Sequence, residues 1–131
     1  KALWVGNIKK RIMMKSLLLI VSLILSATVT YSQHAELNGS KMEMFDSNGS
    51  RIAWNYAPDN AQSICTANNF VVVVTKDRIY TYDFELSKIG WGYLPDDYSS
   101  LSCSGSKFVI FTKDRKYYYD RNISKTGWDY R

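Results

Sequence analysis

Beyond residue 32 the chain runs in short apolar stretches punctuated by polar turns. Phe70–Thr75 (FVVVVT) and Phe108–Thr112 (FVIFT) are β-branched and aromatic, the composition of a buried central strand. A polar turn follows each, Lys76-Asp77-Arg78 or Lys113-Asp114-Arg115. Next come the strands Ile79–Asp83 and Lys116–Asp120, where alternation sets Tyr80/Tyr82 and Tyr117/Tyr119 on one face. Ser63–Thr66 and Ser102–Ser104 supply a strand before each run, and a Trp-x-Tyr segment supplies one after it. Ala35–Leu37, Met42–Asp46 and Arg51–Tyr56 form a weaker set of three. No stretch here has helical spacing, so the region is expected to be all-β and antiparallel.

The pattern repeats. Trp54, Trp91 and Trp128 are spaced by 37 residues, as are Asp46/Asp83/Asp120 and Tyr56/Tyr93/Tyr130. Thr75–Tyr93 aligns without a gap on Thr112–Tyr130. Cys65 and Cys103 are 38 apart, which calls for a one-residue insertion, read as a bulge. Four short strands per unit fit the blades of a β-propeller, with a partial blade over 33–59 and blades over 60–96 and 97–131. In Asp46-Ser47-Asn48-Gly49-Ser50-Arg51-Ile52-Ala53-Trp54, a strand ending in Asp turns through a Gly-containing hairpin into a strand carrying Trp. This resembles the blades of quinoprotein-like (PQQ-like) propellers. The WD40 type fits less well, since the Trp-Asp dipeptide stands only at Trp128-Asp129.

About two and a half blades fall short of the four to eight of a closed ring. A fragment of a larger propeller, a ring of several chains and an open stack with exposed edges all satisfy the count. The fragment is favoured, because the chain starts at Lys1 with twelve residues (1–12) that read as upstream or mis-started sequence.

The formal charge of +5 hints at a polyanionic partner until its location is considered. Lys1, Lys9, Lys10, Arg11 and Lys15 precede residue 33, where there is no Asp or Glu. The remaining 12 basic residues balance the 12 acidic ones. Met13–Ser32 has a basic start, an apolar run and a small-residue exit, the signature of a signal peptide cleaved before Gln33. The apolar run falls short of the roughly 20 residues of a membrane span. A secreted, periplasmic or cell-surface neutral protein follows, with no nucleic-acid partner and no stable membrane insertion after cleavage.

Candidate chemistry is sparse. His34 is the only histidine and stands next to the expected new N-terminus, which leaves no catalytic base for a Ser or Cys nucleophile. No metal-ligand spacing and no cofactor are expected. Cys65 and Cys103 lie at matching places in successive units; such positions point in similar directions, so free, buried thiols are expected over a disulfide. Trp54, Trp91 and Trp128, and likewise Tyr80, Tyr82, Tyr117 and Tyr119, are expected in the core between blades. Asp46, Asp83 and Asp120 are expected to form turns.

In a four-stranded blade the second-to-third-strand turn and the blade-to-blade connection share one end. That groups Lys76, Asp77, Arg78, Lys113, Asp114 and Arg115 with Asp59, Asn60, Asp96, Asp97 and Tyr98 as a loop-face binding surface. The expected function is a non-catalytic module that recognises a protein or a glycan, with open sheet edges as a route to self-association. The quinoprotein resemblance implies an alternative, part of an oxidoreductase propeller; a lectin-like oligomer is another.

Overall fold

The computed structural model describes residues 32–131; the upstream segment and leader expected over 1–32 lie outside it, apart from Ser32. Eleven strands form three antiparallel meanders. Blade 1 contains β1 (His34–Asn38), β2 (Lys41–Phe45) and β3 (Arg51–Tyr56). Blade 2 contains β4 (Ser63–Thr66), β5 (Val71–Val74), β6 (Arg78–Tyr82) and β7 (Lys88–Tyr93). Blade 3 contains β8 (Tyr98–Ser104), β9 (Lys107–Thr112), β10 (Arg115–Tyr119) and β11 (Lys125–Tyr130). The expected strands and their grouping stand, with β8 longer than its sequence pattern suggested.

Two apolar clusters fill the spaces between blades. Ala35, Met42 and Met44 of blade 1 meet Val71, Val73, Tyr82 and Leu86 of blade 2. From its other face blade 2 sends Phe70, Val72, Val74 and Ile79 against Phe108, Ile110 and Tyr119 of blade 3. β5 is therefore buried on both faces, which is why its sequence is a run of valines rather than an alternation. Each fully buried Val or Phe contributes about 1.5–3 kcal/mol. Side-chain hydrogen bonds between blades are few, among them Ala35 N–H to Thr66 Oγ1 at 2.9 Å and Tyr98 O–H to Ser63 Oγ at 3.1 Å. At about 1 kcal/mol apiece they orient blades that apolar burial holds together.

The third-to-fourth-strand turns repeat in detail. Asp46 Oδ1 accepts the N–H groups of Asn48 and Ser50, Asp83 Oδ1 those of Glu85 and Ser87, and Asp120 Oδ1 those of Asn122 and Ser124, all at 2.9–3.0 Å. The expectation that these carboxylates make turns stands. Each turn needs one residue at positive φ: Gly49 in the first copy, but Leu86 (62°) and Ile123 (62°) in the others. That conformation costs a residue with a Cβ about 1–2 kcal/mol. Leu86 offsets it by complete burial against blade 1. Ile123 packs against blade 2, so closely that a methyl group on Gly92 would come within 3.0 Å of its Cγ2.

The cysteines correct the sequence reading: Cys65 and Cys103 are joined in a disulfide, with their Cα atoms 5.7 Å apart. The reason is register. Cys65 lies opposite Val72, which faces blade 3, whereas Cys103 lies opposite Phe108, which faces blade 2. An offset of one position turns a side chain to the other face of its sheet. A separation of 38 in a repeat of 37 therefore aims the two sulfurs at each other. The insertion expected to bring the two cysteines into matching places is not found: Ser63–Thr66 and Ser100–Cys103 pair at a spacing of 37, and the one register jump in β8, at Ser99, lies ahead of them.

Candidate functional site

Trp54, Trp91 and Trp128 are not in the core. Each stands on the outermost strand of its blade and is 46–48% exposed. A cation from the adjacent strand stacks on each ring: Lys41 on Trp54 at 4.6 Å, Arg78 on Trp91 at 4.7 Å, Arg115 on Trp128 at 4.8 Å. Tyr56, Tyr93 and Tyr130 meet the same rings edge-on at 5.1–5.5 Å. The repetition that suggested core packing comes instead from a local cation–aromatic ladder. Tyr82 and Tyr119 are buried as expected, while Tyr80 and Tyr117 are half-buried.

Those tyrosines lie at the bottom of two clefts, one in each space between blades. The first, about 630 Å³, is lined by Tyr56, Ala57, Pro58, Asp59, Asn60, Thr75, Asp77, Arg78, Tyr80, Tyr82, Lys88 and Asn55. The second, about 460 Å³, is lined by Tyr93, Leu94, Pro95, Asp96, Asp97, Thr112, Asp114, Arg115, Tyr117, Tyr119 and Lys125. Every residue of the second is the 37-residue counterpart of one in the first, so the repeat has duplicated a whole cleft. Leu94 stands in the smaller cleft where Ala57 stands in the larger, and Asp97 where Asn60 does.

The walls are ordered by contacts that also recur. Thr75 Oγ1 accepts Arg78 N–H, and Thr112 Oγ1 accepts Arg115 N–H, both at 3.1 Å. The guanidinium of Arg78 lies between Trp91 and the first cleft, that of Arg115 between Trp128 and the second. Lys88 Nζ sits 5.2 Å from the Tyr80 ring and Lys125 Nζ 4.5 Å from the Tyr117 ring. Both ammonium groups therefore stand over an aromatic ring at the cleft.

Tyr82 and Tyr119 are 4% and 6% exposed. Their hydroxyls have no hydrogen-bond partner among the described residues, unlike those of Tyr98 and Tyr118. Burial, followed by the charge of Tyr80, pushes the Tyr82 hydroxyl up to about 12, and burial followed by Tyr117 raises that of Tyr119. Both phenols stay protonated and able to donate at neutral pH.

Of the residues expected on the loop face, Asp59, Asn60, Asp77 and Arg78 come together in the first cleft, and Asp96, Asp97, Asp114 and Arg115 in the second. Lys76 and Tyr98 line a third hollow with Asp77, Asp96 and Asp97 on the same rim. Lys113 lines none of these; its N–H is bonded to the Asp97 carbonyl. Sequence reasoning missed Thr75, Lys88, Tyr56 and their counterparts as cleft residues, although their spacing of 37 was the available signal. His34 lies in β1, stacked on Phe45 at 5.4 Å and bonded to Glu36, and lines neither interblade cleft.

No protein-family model and no curated protein sequence matches the chain. Solved structures do. Hsv2 of Kluyveromyces lactis, a β-propeller, superposes with a TM-score of 0.60 at 15% identity, covering 78% of this chain and 34% of that one. A second structure of that protein, with complete loop 6CD, gives 0.57 at 15% identity over 73% and 32%. Hsv2 of Kluyveromyces marxianus gives 0.53 at 12% identity over 70% and 33%. The chain spans about a third of the length of these proteins. At such identities the likeness is one of fold: these are propeller blades.

Proposed function

We propose that this chain is a propeller-type binding module that acts outside the cytoplasm and catalyses nothing, its ligand a protein or a glycan held at the interblade clefts. The observation that carries the reading is the duplicated cleft. A wall of Tyr, Thr, Asp, Arg and Lys is reproduced at a spacing of 37 residues, with its cations fixed on aromatic rings. Export is supported by the leader at 13–32 and by the Cys65–Cys103 disulfide, a bond that persists in oxidising compartments. The quinoprotein-like blade type rests on the Asp46–Trp54 hairpin alone, and the oxidoreductase alternative gains no support from the clefts, which lack His34.

The test presents the full chain to a printed array of glycans and to a displayed peptide library. Asp59→Ala with Asp96→Ala, both on exposed loops, serves as the cleft variant. Binding to either surface that the variant loses supports the module. Binding that survives the variant, or none on both surfaces, overturns it.

A further inference from the structure

We infer that the two clefts are equivalent subsites for a neutral, hydroxyl-rich ligand, a saccharide unit in each, so that one molecule grips two units of a repeating glycan. The inference rests on the binding-module reading and narrows it to one ligand chemistry.

Charge comes first. In the first cleft Asp59 and Asp77 balance Arg78 and Lys88; in the second the acids exceed the bases by one. A phosphate, sulfate or polyanion would meet carboxylates beside every cation. Shape comes next. Polar and aromatic residues dominate the wall, and Pro58 and Ala57 are the aliphatic residues of the first cleft, too little apolar surface to anchor a peptide side chain. Carboxylates and amides that accept sugar hydroxyls, beside aromatic side chains that can cover C–H surfaces, suit a carbohydrate.

A second observation places an available donor in each cleft. The Tyr82 and Tyr119 rings are more than nine-tenths buried and line the clefts, and their hydroxyls, which bond to nothing among the described residues, are open to the cleft rather than sealed in the core. Each is a phenol donor left to solvent, and the same one appears in both copies. A ligand hydroxyl at each floor would supply the bond. Duplication then implies a ligand that itself repeats, since joining two subsites raises affinity without any new kind of contact.

The experiment uses the full chain and a printed array carrying neutral, sialylated and sulfated glycans, followed by calorimetry with the strongest neutral oligosaccharide and its monosaccharide unit. Neutral glycans should dominate, with affinity nearly independent of salt. Tyr82→Phe and Tyr119→Phe each keep the ring and remove one hydroxyl. Each should weaken oligosaccharide binding by roughly 3- to 10-fold with the near-ultraviolet spectrum of the fold intact. Filling one cleft by Ala57→Trp should cut oligosaccharide affinity by at least about 10-fold while leaving monosaccharide affinity at the other cleft unchanged. Retention of anionic glycans alone, or affinities untouched by both Tyr→Phe changes, overturns the inference. Peptide binding lost in the Asp59/Asp96 variant would overturn the saccharide assignment and leave the binding module standing. An array and a peptide library both blank would remove both.

Discussion

Thr81 shows how one side chain can be at odds with a well-packed interior. It is fully buried in β6 on the face toward blade 3, and its Oγ1 has no hydrogen-bond partner among the described residues. The corresponding residue of blade 1 is Met44, which is apolar, and that of blade 3 is Tyr118, whose hydroxyl donates to Asp129 at 3.0 Å. Thr81→Val keeps the shape and removes the unpaired group, so it should stabilise the fold by about 1 kcal/mol, read as a higher denaturant midpoint at unchanged slope. Glu43 is the reverse case, a largely buried carboxylate with partners. Hydrogen bonds from Asn38 at 2.8 Å and from Arg51 at 3.0 Å hold its pKa below the ordinary glutamate value. A folded pKa below the unfolded one means that the stabilisation is complete above the ordinary glutamate range and is lost as pH falls through the lowered value. Thermal unfolding from pH 7 to pH 3 should therefore show a smaller acid-induced fall in Tm for Glu43→Gln than for the parent. A fall of equal size in both would remove this role. Neither feature was legible in the sequence, where Thr81 sits in an ordinary strand pattern and Glu43 occupies the place of Tyr80.

At the scale of strands the sequence was a good guide to ladders and a poor one to faces. Valine runs, the Lys-Asp-Arg turns and the recurring Asp marked the strands close to their observed positions, β8 excepted, because strand composition and turn chemistry are local. The tryptophans and cysteines were misread because both depend on what lies across the blade. Repetition of Trp54, Trp91 and Trp128 is equally compatible with burial and with a surface ladder; only the absence of cover on β3, β7 and β11 decides between them. A separation of 38 in a repeat of 37 already implies opposite faces, because one extra residue inverts the pleat. The disulfide ties the first strands of blades 2 and 3 together across a sequence separation of 38. Closing a loop of that length in the unfolded chain is worth about 3–4 kcal/mol in the chain-entropy account. Urea unfolding with and without a reductant should differ by roughly 2–4 kcal/mol. No difference would mean that burial alone holds blades 2 and 3.

Across the whole molecule, the blade faces differ according to whether they meet another blade. The face of blade 2 toward blade 1 carries Val71, Val73, Tyr80, Tyr82 and Leu86; at the matching positions the free face of blade 1 carries His34, Glu36, Glu43, Phe45 and Gly49. The face of blade 2 toward blade 3 carries Phe70, Ile79 and Leu94; the free face of blade 3 carries Lys107, Lys116 and Arg131 there. Phe111, still apolar on that side, lies beneath Lys116 and Arg131, at 5.9 and 5.5 Å from its ring centre. Polar outer faces keep stacked repeats soluble, and both of these faces are more polar than the inner faces they match. Another blade packed on blade 3 in the manner of the inner pair would take three cations out of water, a cost of several kcal/mol for each one left unpaired. Sedimentation of the parent chain should accordingly be independent of concentration in the micromolar range. Restoring the inner-blade residues with Lys107→Phe and Lys116→Ile should produce concentration-dependent association through β8–β11. Association of the parent chain, abolished by a charge placed at Phe111, would show instead that this face is made to be covered.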